Sequence, residues 1–316
     1  MNDEPYLLWE WELKKRNLEF LNGIDSEHFN FLLDLFASAQ DTKRASVGAR
    51  TTLHHSLETL FSLLGAMLQS PSCVYGWLSR CSTPLLRDVV RRIDRKDEGL
   101  FRVWRISAPS WHELASLVFR HYASGTEKQA TTTKQFGELW ARLAHDFANE
   151  DHIDEYNSIK HGFRVKRGGF TLRVGPEREK GLPASQADLT TIGSSEYGCS
   201  FFRISRLGSD GSRNLRSSRV SLNWHIEKDL LLIQLVAMSI HNVVSALQII
   251  NGIPAETVRF VRPEDDEAFE RPWRLASGVF QATIDFKINE ELIPHTTRHD
   301  LVTRMIETMT RMTESK

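Results

Sequence analysis

The spacing of apolar residues changes at Gly162, and this change limits the folds that the chain can adopt. Before Gly162, apolar residues recur every three or four positions, most clearly at residues 49–69, which is typical of amphipathic helices. Residues 163–224 are instead rich in Gly, Ser, Arg and β-forming residues, and helical spacing returns at residue 226. We therefore predict a mainly α (α+β) fold, a helical bundle with a small antiparallel β insertion at about 163–224 before the last long helix.

The order of the predicted elements argues against a parallel α/β sheet, because strands and helices do not alternate regularly. Long helices are predicted at 49–69, 135–161 and 226–251, strands at 170–174, 199–204, 219–224, 257–261 and 280–288, and a last helix at 299–312. We interpret 1–316 as one compact unit. Within it, 1–162 form a helical part, 163–224 a basic β-rich insertion, and 225–316 the central long helix and a mixed tail.

Composition and cysteine usage exclude several classes of protein. Of the 316 residues, 41% are hydrophobic and 26% are charged, and the net charge is −1, as in ordinary globular chains. Cys73, Cys81 and Cys199 form no C-x-x-C pair, so neither a disulfide framework nor a cysteine zinc site is expected. The apolar stretch 230–250 contains Gln, Ser, His and Asn residues, which favour a core helix over a membrane span. With an N-terminus unlike a signal peptide, these features predict a cytoplasmic protein without membrane contact.

Three polar residues lie at the end of a predicted helix, directly before Gly162: Asn157, Lys160 and His161. On a helix Asn157 and His161 share one face, because they are four residues apart. An amide, an ammonium and an imidazole at one helix end can hold a phosphate and supply a general acid or base. The alternative is structural, since cations are favoured in the last turn of a helix and glycine ends helices.

A second polar pair, His54 and Glu58, borders the leucine stripe of the helix at 49–69. Such a pair can shuttle a proton or contribute to a metal site, and its structural alternative is a boundary ion pair. One imidazole and one carboxylate are too few ligands for a metal, and no Gly-rich phosphate loop is present, so we predict neither a metal nor a cofactor. For His241, inside the most apolar helix, we expect a neutral side chain hydrogen-bonded in the core.

Positive charge is concentrated in the β-rich segment. Residues 160–219 contain 12 Lys or Arg and 5 Asp or Glu, a balance of +7 that leaves −8 for the remainder. Aromatic residues, Phe163 among them, interleave with these charges. Basic strands with aromatics can bind nucleic-acid backbone and stack bases, but the same pattern is typical of a half-solvated sheet. The candidate nucleic-acid-binding residues are Arg164, Lys166, Arg167 and Arg173.

Two segments resemble the HEPN (higher-eukaryote and prokaryote nucleotide-binding) superfamily: 53–61 on an early helix and 156–162 at the end of a later one. The resemblance covers about residues 50–162 and the later long helix. It implies a helical bundle, often dimeric, and for many members a metal-independent ribonuclease of toxin or antiphage systems. The superfamily's signature is an Arg followed by a His four to six residues later; upstream of His161 these positions hold Asp, Glu and Tyr. Matches elsewhere, such as Arg50/His55, are as frequent as chance predicts.

Three functions therefore stay open at the level of sequence, and the sequence does not decide whether the protein is an enzyme. The first is a HEPN-like protein that binds RNA or another nucleic acid through the basic insertion and cleaves RNA with His161 and Lys160, oriented by Asn157. The second is a non-enzymatic scaffold or sensor, a homodimer that acts through protein contacts. The third is a metal-dependent enzyme that uses His54, Glu58 and further carboxylates, such as those of Asp146 and Glu150.

Overall fold

The structure, a computed structural model, describes residues 11–106, 110–162, 164–182, 184–206, 215–275, 278–285 and 297–314. This part of the chain contains eleven α-helices and six strands, which confirms the predicted mainly α fold with a small antiparallel β part. By its internal contacts the chain divides into two compact units. Unit 1 consists of Met1–Phe163 and His225–Ala276, and unit 2 of Arg164–Trp224 and Ser277–Lys316. The sequence-based interpretation of 1–316 as one compact unit depends on how these two units join, and it stays a prediction.

Unit 1 is a helical bundle around two long central helices. Its helices are α1 (Leu13–Asn22), α2 (His28–Ala37), α3 (Thr42–Gln69), α4 (Val74–Arg80), α5 (Thr83–Asp94), α6 (Trp111–Val118), α7 (Glu127–Ala148), α8 (Glu150–Lys160), α9 (Ile226–Ile250) and α10 (Arg271–Arg274). Short 3₁₀ segments lie at Glu98–Trp104, Phe119–His121, Ala255–Thr257 and Asp266–Phe269. The two longest helices, α3 and α9, pack against each other, and α2 contacts both. The core of unit 1 therefore lies along the α3–α9 contact.

The apolar period of α3 decides which side faces this core. The stripe of leucines that predicts the helix is almost wholly buried. The helix begins at Thr42, earlier than predicted, because the Asp41 side chain accepts a hydrogen bond from the backbone N–H of Arg44 at 2.9 Å and caps the first turn. The residues directly before 49 are therefore the first part of α3, and Arg50 of this helix lies in the interior.

The single helix predicted at 135–161 is wrong, because two helices occupy this segment. Thr126 caps α7 by accepting a hydrogen bond from the backbone N–H of Gln129 at 3.3 Å. Asn149 then takes an extended conformation, and its side chain accepts from the backbone N–H of Asp151 at 2.8 Å, which starts α8. A short polar side chain thus competes with helix continuation and separates α7 from α8.

The most apolar helix, α9, has the burial of a core helix. In the described part of the chain it is the one helix long and apolar enough to cross a membrane, and 72% of its most apolar window is buried. Its polar residues have partners: Ser239 accepts from the Trp140 indole N–H at 3.0 Å. The His241 ring lies 3.0 Å from both the Ser26 hydroxyl and the Arg259 carbonyl. His241 is therefore hydrogen-bonded, as expected, but it is half-buried and not enclosed in the core.

Unit 2 contains two antiparallel sheets. Its strands are β1 (Lys166–Arg167), β2 (Thr171–Val174), β3 (Thr190–Ser194), β4 (Gly198–Arg206), β5 (Leu215–Asn223) and β6 (Gln281–Ile284). Four of them form a sheet in the order β1-β4-β5-β6, while β2 and β3 pair separately. The strands predicted at 170–174, 199–204 and 219–224 correspond to β2, β4 and β5 and are confirmed.

The C-terminal part agrees with the prediction at two of three elements. The last helix is present as α11 (Arg298–Glu314), and the strand predicted at 280–288 is present as β6, with 286–288 outside the described residues. The strand predicted at 257–261 is wrong. The Asn242 side chain of α9 bonds both the backbone N–H and the carbonyl of Val261, at 2.8 and 2.7 Å, so these groups need no strand partner.

Candidate functional site

A buried arginine joins three helices of unit 1. Arg50 of α3 donates from Nη2 to the Glu155 carboxylate of α8 at 2.9 Å, and from Nη1 to Asp229 of α9 at 3.1 Å. The Arg50 side chain is 8% exposed and that of Glu155 is fully enclosed. Charges this deep are tolerated only when they are paired and hydrogen-bonded. Arg50 therefore connects α3 to α8 and α9 through ion pairs and has a structural role.

Two histidines extend this pairing. His54 Nε2 lies 3.3 Å from Glu155 Oε2, and the His152 ring lies 6.1 Å from the His54 ring. Burial lowers the pKa of both imidazoles, and the charge of Arg50 lowers it further. Both rings are therefore neutral near neutral pH, and His54 donates its Nε2–H to a carboxylate that can only accept. We call Arg50, His54, His152, Glu155 and Asp229 the Arg50 network.

The two carboxylates of the Arg50 network differ in their acidity. Burial opposes the ionisation of Glu155, but the charge of Arg50 and the hydrogen bond from His54 hold its pKa well below the usual range. For Asp229, burial and the neighbouring charge of Glu155 raise the pKa, although Arg50 opposes this. Glu155 is the better-bonded partner, because it receives donors from both Arg50 and His54. The negative charge of the network is therefore held most firmly on Glu155.

A second polar cluster lies next to the Arg50 network, nearer the surface. Glu58 of α3, with a side chain 19% exposed, accepts a hydrogen bond from the Thr83 hydroxyl at 2.7 Å and one from the Tyr156 hydroxyl at 3.3 Å. Lys160 Nζ lies 3.9 Å from the same carboxylate and 5.2 Å from the centre of the Tyr156 ring. We call Glu58, Thr83, Tyr156 and Lys160 the Glu58 cluster. His54 stacks on Tyr156 at 5.0 Å and so connects it to the Arg50 network.

The structure thus brings together residues that the sequence treats as two separate candidates. Lys160 pairs with Glu58, whereas His54 and Glu58 have different partners instead of each other. His161 is the C-cap of α8, and its side chain is exposed to solvent. Its backbone N–H donates to the Asn157 carbonyl at 3.0 Å, and Gly162 follows with φ +97°, as a helix end requires. Of the predicted helix-end trio, only Lys160 therefore belongs to the Glu58 cluster.

Four residues of the Arg50 network were missed as a group by sequence reasoning: Arg50, His152, Glu155 and Asp229. Arg50 and Glu155 are 105 positions apart, and Arg50 and Asp229 are 179 apart, so no local spacing connects them. One signal was present, since Asp229 is an acid at the start of the most apolar helix and a buried acid needs a cation.

The basic residues singled out in unit 2 lie at its surface. Lys166 and Arg167 form β1, where they face Ser200 and Cys199 of β4 across the ladder. Arg164 precedes this strand, and all three side chains are exposed. Arg173, also exposed, lies in β2 of the separate two-stranded sheet. Exposed cations in these positions are accessible to a ligand.

Metal-ligating side chains are dispersed over the part of the chain that the structure describes. They contain no group of three or more His, Cys, Asp or Glu side chains placed to hold a metal ion. The three cysteines are free thiols, and burial raises the pKa of Cys81 to about 11. What the described geometry offers chemically is therefore hydrogen bonding, proton transfer and charge pairing.

Because comparisons with known proteins give no match, the function is inferred from the geometry of the described residues. No protein-family model, curated protein or solved structure matches the chain.

Proposed function

We propose that the protein binds RNA or another nucleic acid through exposed basic side chains of unit 2. The observation that carries this proposal is the exposure of Arg164, Lys166, Arg167 and Arg173 in a segment whose charge balance is +7. Among the described contacts, Lys166, Arg167 and Arg173 have no acidic partner. Cations of this kind can neutralise phosphates and release the counterions that surround them. The one cation of the Arg50 network, Arg50 itself, is instead paired with two buried carboxylates.

We extend this proposal to RNA cleavage at the end of α8, as the HEPN resemblance implies. His161 would act as general acid or base, Lys160 would stabilise charge on the phosphate, and Asn157 would orient the reacting group. Two features support these roles: the His161 side chain is exposed, and Lys160 is anchored beside Glu58 while its side chain stays 46% exposed. The chemistry would need no metal, because an imidazole and an ammonium supply the proton transfer and the charge.

The binding proposal is tested by measuring RNA affinity against salt concentration. Replacing Arg164, Lys166 and Arg167 together by Gln should weaken binding and flatten the log–log salt slope by about 2, since each single-strand phosphate contact contributes roughly 0.7. An unchanged affinity would mean that the basic segment is only a solvated part of the sheet.

The matched control replaces three exposed cations of unit 1. Lys43→Gln, Arg95→Gln and Arg120→Gln, combined in one chain, remove the same formal charge as the unit 2 variant. Because the net charge changes equally in both variants, general electrostatic attraction is the same in both. Salt slopes that fall equally in both would contradict a localised site.

The cleavage proposal is tested separately with His161→Ala. This change should leave RNA affinity almost unaltered, because it removes none of the exposed Lys and Arg charges of unit 2, and it should abolish cleavage of a labelled oligoribonucleotide. His121→Ala, at another exposed histidine, is the control. Binding without any cleavage by the unaltered protein would make this chain a non-catalytic nucleic-acid binder.

One observation favours a second candidate function, a scaffold that assembles with a second copy of the chain. Helix α11 exposes Leu301, Val302, Met305 and Ile306 by 39–64%. Val302 and Met305 begin a three-four apolar spacing, continued by Met309 and Met312, that is typical of a coiled-coil seam. Such a seam is complementary to a second copy of itself. In sedimentation experiments Met305→Lys should convert a dimer into a monomer, and a wild type that is monomeric at every concentration would exclude this function.

A further inference from the structure

The register of the four-stranded sheet separates two faces of different character. Residues that pair across an antiparallel ladder point to the same side, and successive residues along a strand alternate. Phe202 pairs with Arg219, and Lys166 pairs with Ser200, two residues before Phe202. Lys166, Phe202 and Arg219 therefore lie on one face of the sheet. The opposite face carries the buried side chains of Phe201 and Val220.

The first face is unusually open for one that carries large apolar side chains. Phe202 is 70% exposed. Three aliphatic residues on the same face are 54–61% exposed: Ile204 of β4, Leu215 of β5 and Ile284 of β6. Several large apolar side chains this exposed on one face of a folded unit indicate a place where a ligand or partner binds. We call this surface, with its charged residues, the open sheet face.

The charges of the open sheet face have a single sign. Lys166, Arg206 and Arg219 point to it, and none of the three has an acidic partner among the described contacts. Its other described strand residues are three serines, an alanine, a glycine and an asparagine, so no described strand residue of the face is acidic. Arg219 lies directly opposite Phe202, at a distance set by the strand spacing of about 4.8 Å. A ligand that suits this face combines flat apolar surface with negative charge.

We propose that the open sheet face binds single-stranded nucleic acid, with a base stacked on Phe202 and phosphates beside Lys166, Arg206 and Arg219. The inference rests on the proposed nucleic-acid binding and names its substrate class and its site. Bases in a single strand present their flat surfaces, whereas a duplex hides them in its stack. A protein partner is the less fitting occupant, because three cations without acids would need a strongly acidic partner as well as an apolar one.

The test uses Phe202→Ala in the full-length protein. Affinity is measured for a fluorescent oligouridylate of about 12 nucleotides, within the roughly 4–16 nucleotides that one OB-fold covers in single-strand-binding proteins, and for an RNA duplex of equal length. Because one stacked base is lost, binding of the single strand should weaken by about 5- to 100-fold. Its salt slope should stay constant, because no charge is removed. Phe202→Trp should retain the affinity, since a larger ring also stacks.

Phe31→Ala is the matched control, because Phe31 of unit 1 is 66% exposed, close to the 70% of Phe202. This change should leave the affinity unaltered. Circular dichroism of each variant confirms that it is folded, and folding is expected to persist because both rings lie at the surface.

The outcomes distinguish the stacking site at Phe202 from nucleic-acid binding in general. If removal of the basic side chains weakens binding but Phe202→Ala does not, nucleic-acid binding stands and the stacking site is overturned. Equal losses for the single strand and the duplex would also overturn it. If the unaltered protein binds no nucleic acid at any salt concentration, both proposals fail. A concentration-dependent dimer that Phe202→Ala dissociates would assign the face to a second copy of the chain instead.

Discussion

The Arg50 network of unit 1 and the open sheet face of unit 2 differ in what their charges touch. In the Arg50 network, a buried guanidinium is shared by two carboxylates, and Glu155 is fully enclosed. On the open sheet face, Lys166 and Arg219 are exposed and have no acidic partner among the described contacts. The comparison shows that buried charge in this chain serves the packing of helices. The exposed cations of the open sheet face, next to the exposed ring of Phe202, are accessible to a negatively charged ligand.

The largest effect on this comparison should come from breaking the Arg50 network. Glu155→Ala leaves the guanidinium of Arg50 buried beside Asp229 alone, so the free energy of unfolding should fall by about 3–5 kcal/mol. Urea unfolding followed by tryptophan fluorescence measures this loss. Glu138→Ala, at an exposed position of α7, is the control and should change stability by no more than about 0.5 kcal/mol. A loss below about 1 kcal/mol for Glu155→Ala would contradict a structural role.

A second variant sharpens this result if Glu155→Ala does not fold. Replacing Arg50 by Met, and His54, Glu155 and Asp229 by Leu, removes the charges of the Arg50 network together with the imidazole that donates to Glu155. Well-packed apolar side chains of similar volume should restore stability to that of the wild type or beyond it. Failure of this variant, with stability no better than that of Glu155→Ala, would show that the charges have a role other than packing.

Acid should weaken unit 1 through the same network. The pKa values of His54 and His152 are lowered in the folded protein. Below about pH 6.5 the unfolded chain therefore binds protons that the folded protein does not, and the free energy of unfolding decreases as the pH falls. The depressed pKa of Glu155 adds a further loss only when the pH falls below the usual carboxyl range, because its stabilisation is complete above that range. The raised pKa of Asp229 acts in the opposite direction.

The histidine contribution is measured as a difference between variants. Between about pH 7.5 and 5.5 the wild type should lose more unfolding free energy than His152→Gln, which cannot titrate there. His112→Gln, at an exposed position, should keep the wild-type pH dependence. Identical pH dependence in all three proteins would show that His152 is protonated as easily when folded as when unfolded.

A smaller effect is expected in the Glu58 cluster. Tyr156→Phe removes the hydroxyl that donates to Glu58 at 3.3 Å, so unfolding should become easier by about 1 kcal/mol. Tyr122→Phe is the matched control, because the described contacts include no hydrogen bond of its hydroxyl. Calorimetry of the two variants measures both changes. Equal melting temperatures would mean that Glu58 is satisfied without Tyr156.

The smallest effect should come from one exposed charge of unit 2. Lys166→Gln should lower the log–log salt slope of RNA binding by about 0.7 and leave thermal stability unchanged. Lys43→Gln, an exposed lysine of unit 1, should alter neither quantity. If Lys166→Gln instead lowers thermal stability without changing the salt slope of RNA binding, the charge of Lys166 stabilises the fold and does not contact RNA.

The sequence predicts the helices and strands of this fold better than it predicts where a helix is interrupted or how the strands pair. The apolar period predicts α3 and α9, whereas the break at Asn149 depends on one side chain capping α8 within a helix-forming stretch. The strands β4 and β5 are predicted by their composition. Their register is set by tertiary pairing, so the sequence does not reveal that Phe202 and Arg219 share an exposed face.

The candidate site was less predictable for a related reason. The partners in the Arg50 network are separated by 105 and 179 positions, and only packing of α3, α8 and α9 brings them together. Lys160 and Glu58 were each identified as candidates, but the distance between them is a property of the α3–α8 contact. Local spacing shows which residues can act, while helix packing decides which of them meet.

Photo-cross-linking tests most directly whether nucleic acid meets the open sheet face of unit 2 while the buried charges of the Arg50 network serve folding. An oligoribonucleotide carrying 4-thiouridine is bound to the full-length protein, irradiated, and located by mass spectrometry of the digested peptides. The account predicts cross-links in the peptide of β4 that contains Phe202, which disappear in Phe202→Ala. Cross-links confined to α3 and α8, with none in β1, β4 or β5, would contradict it.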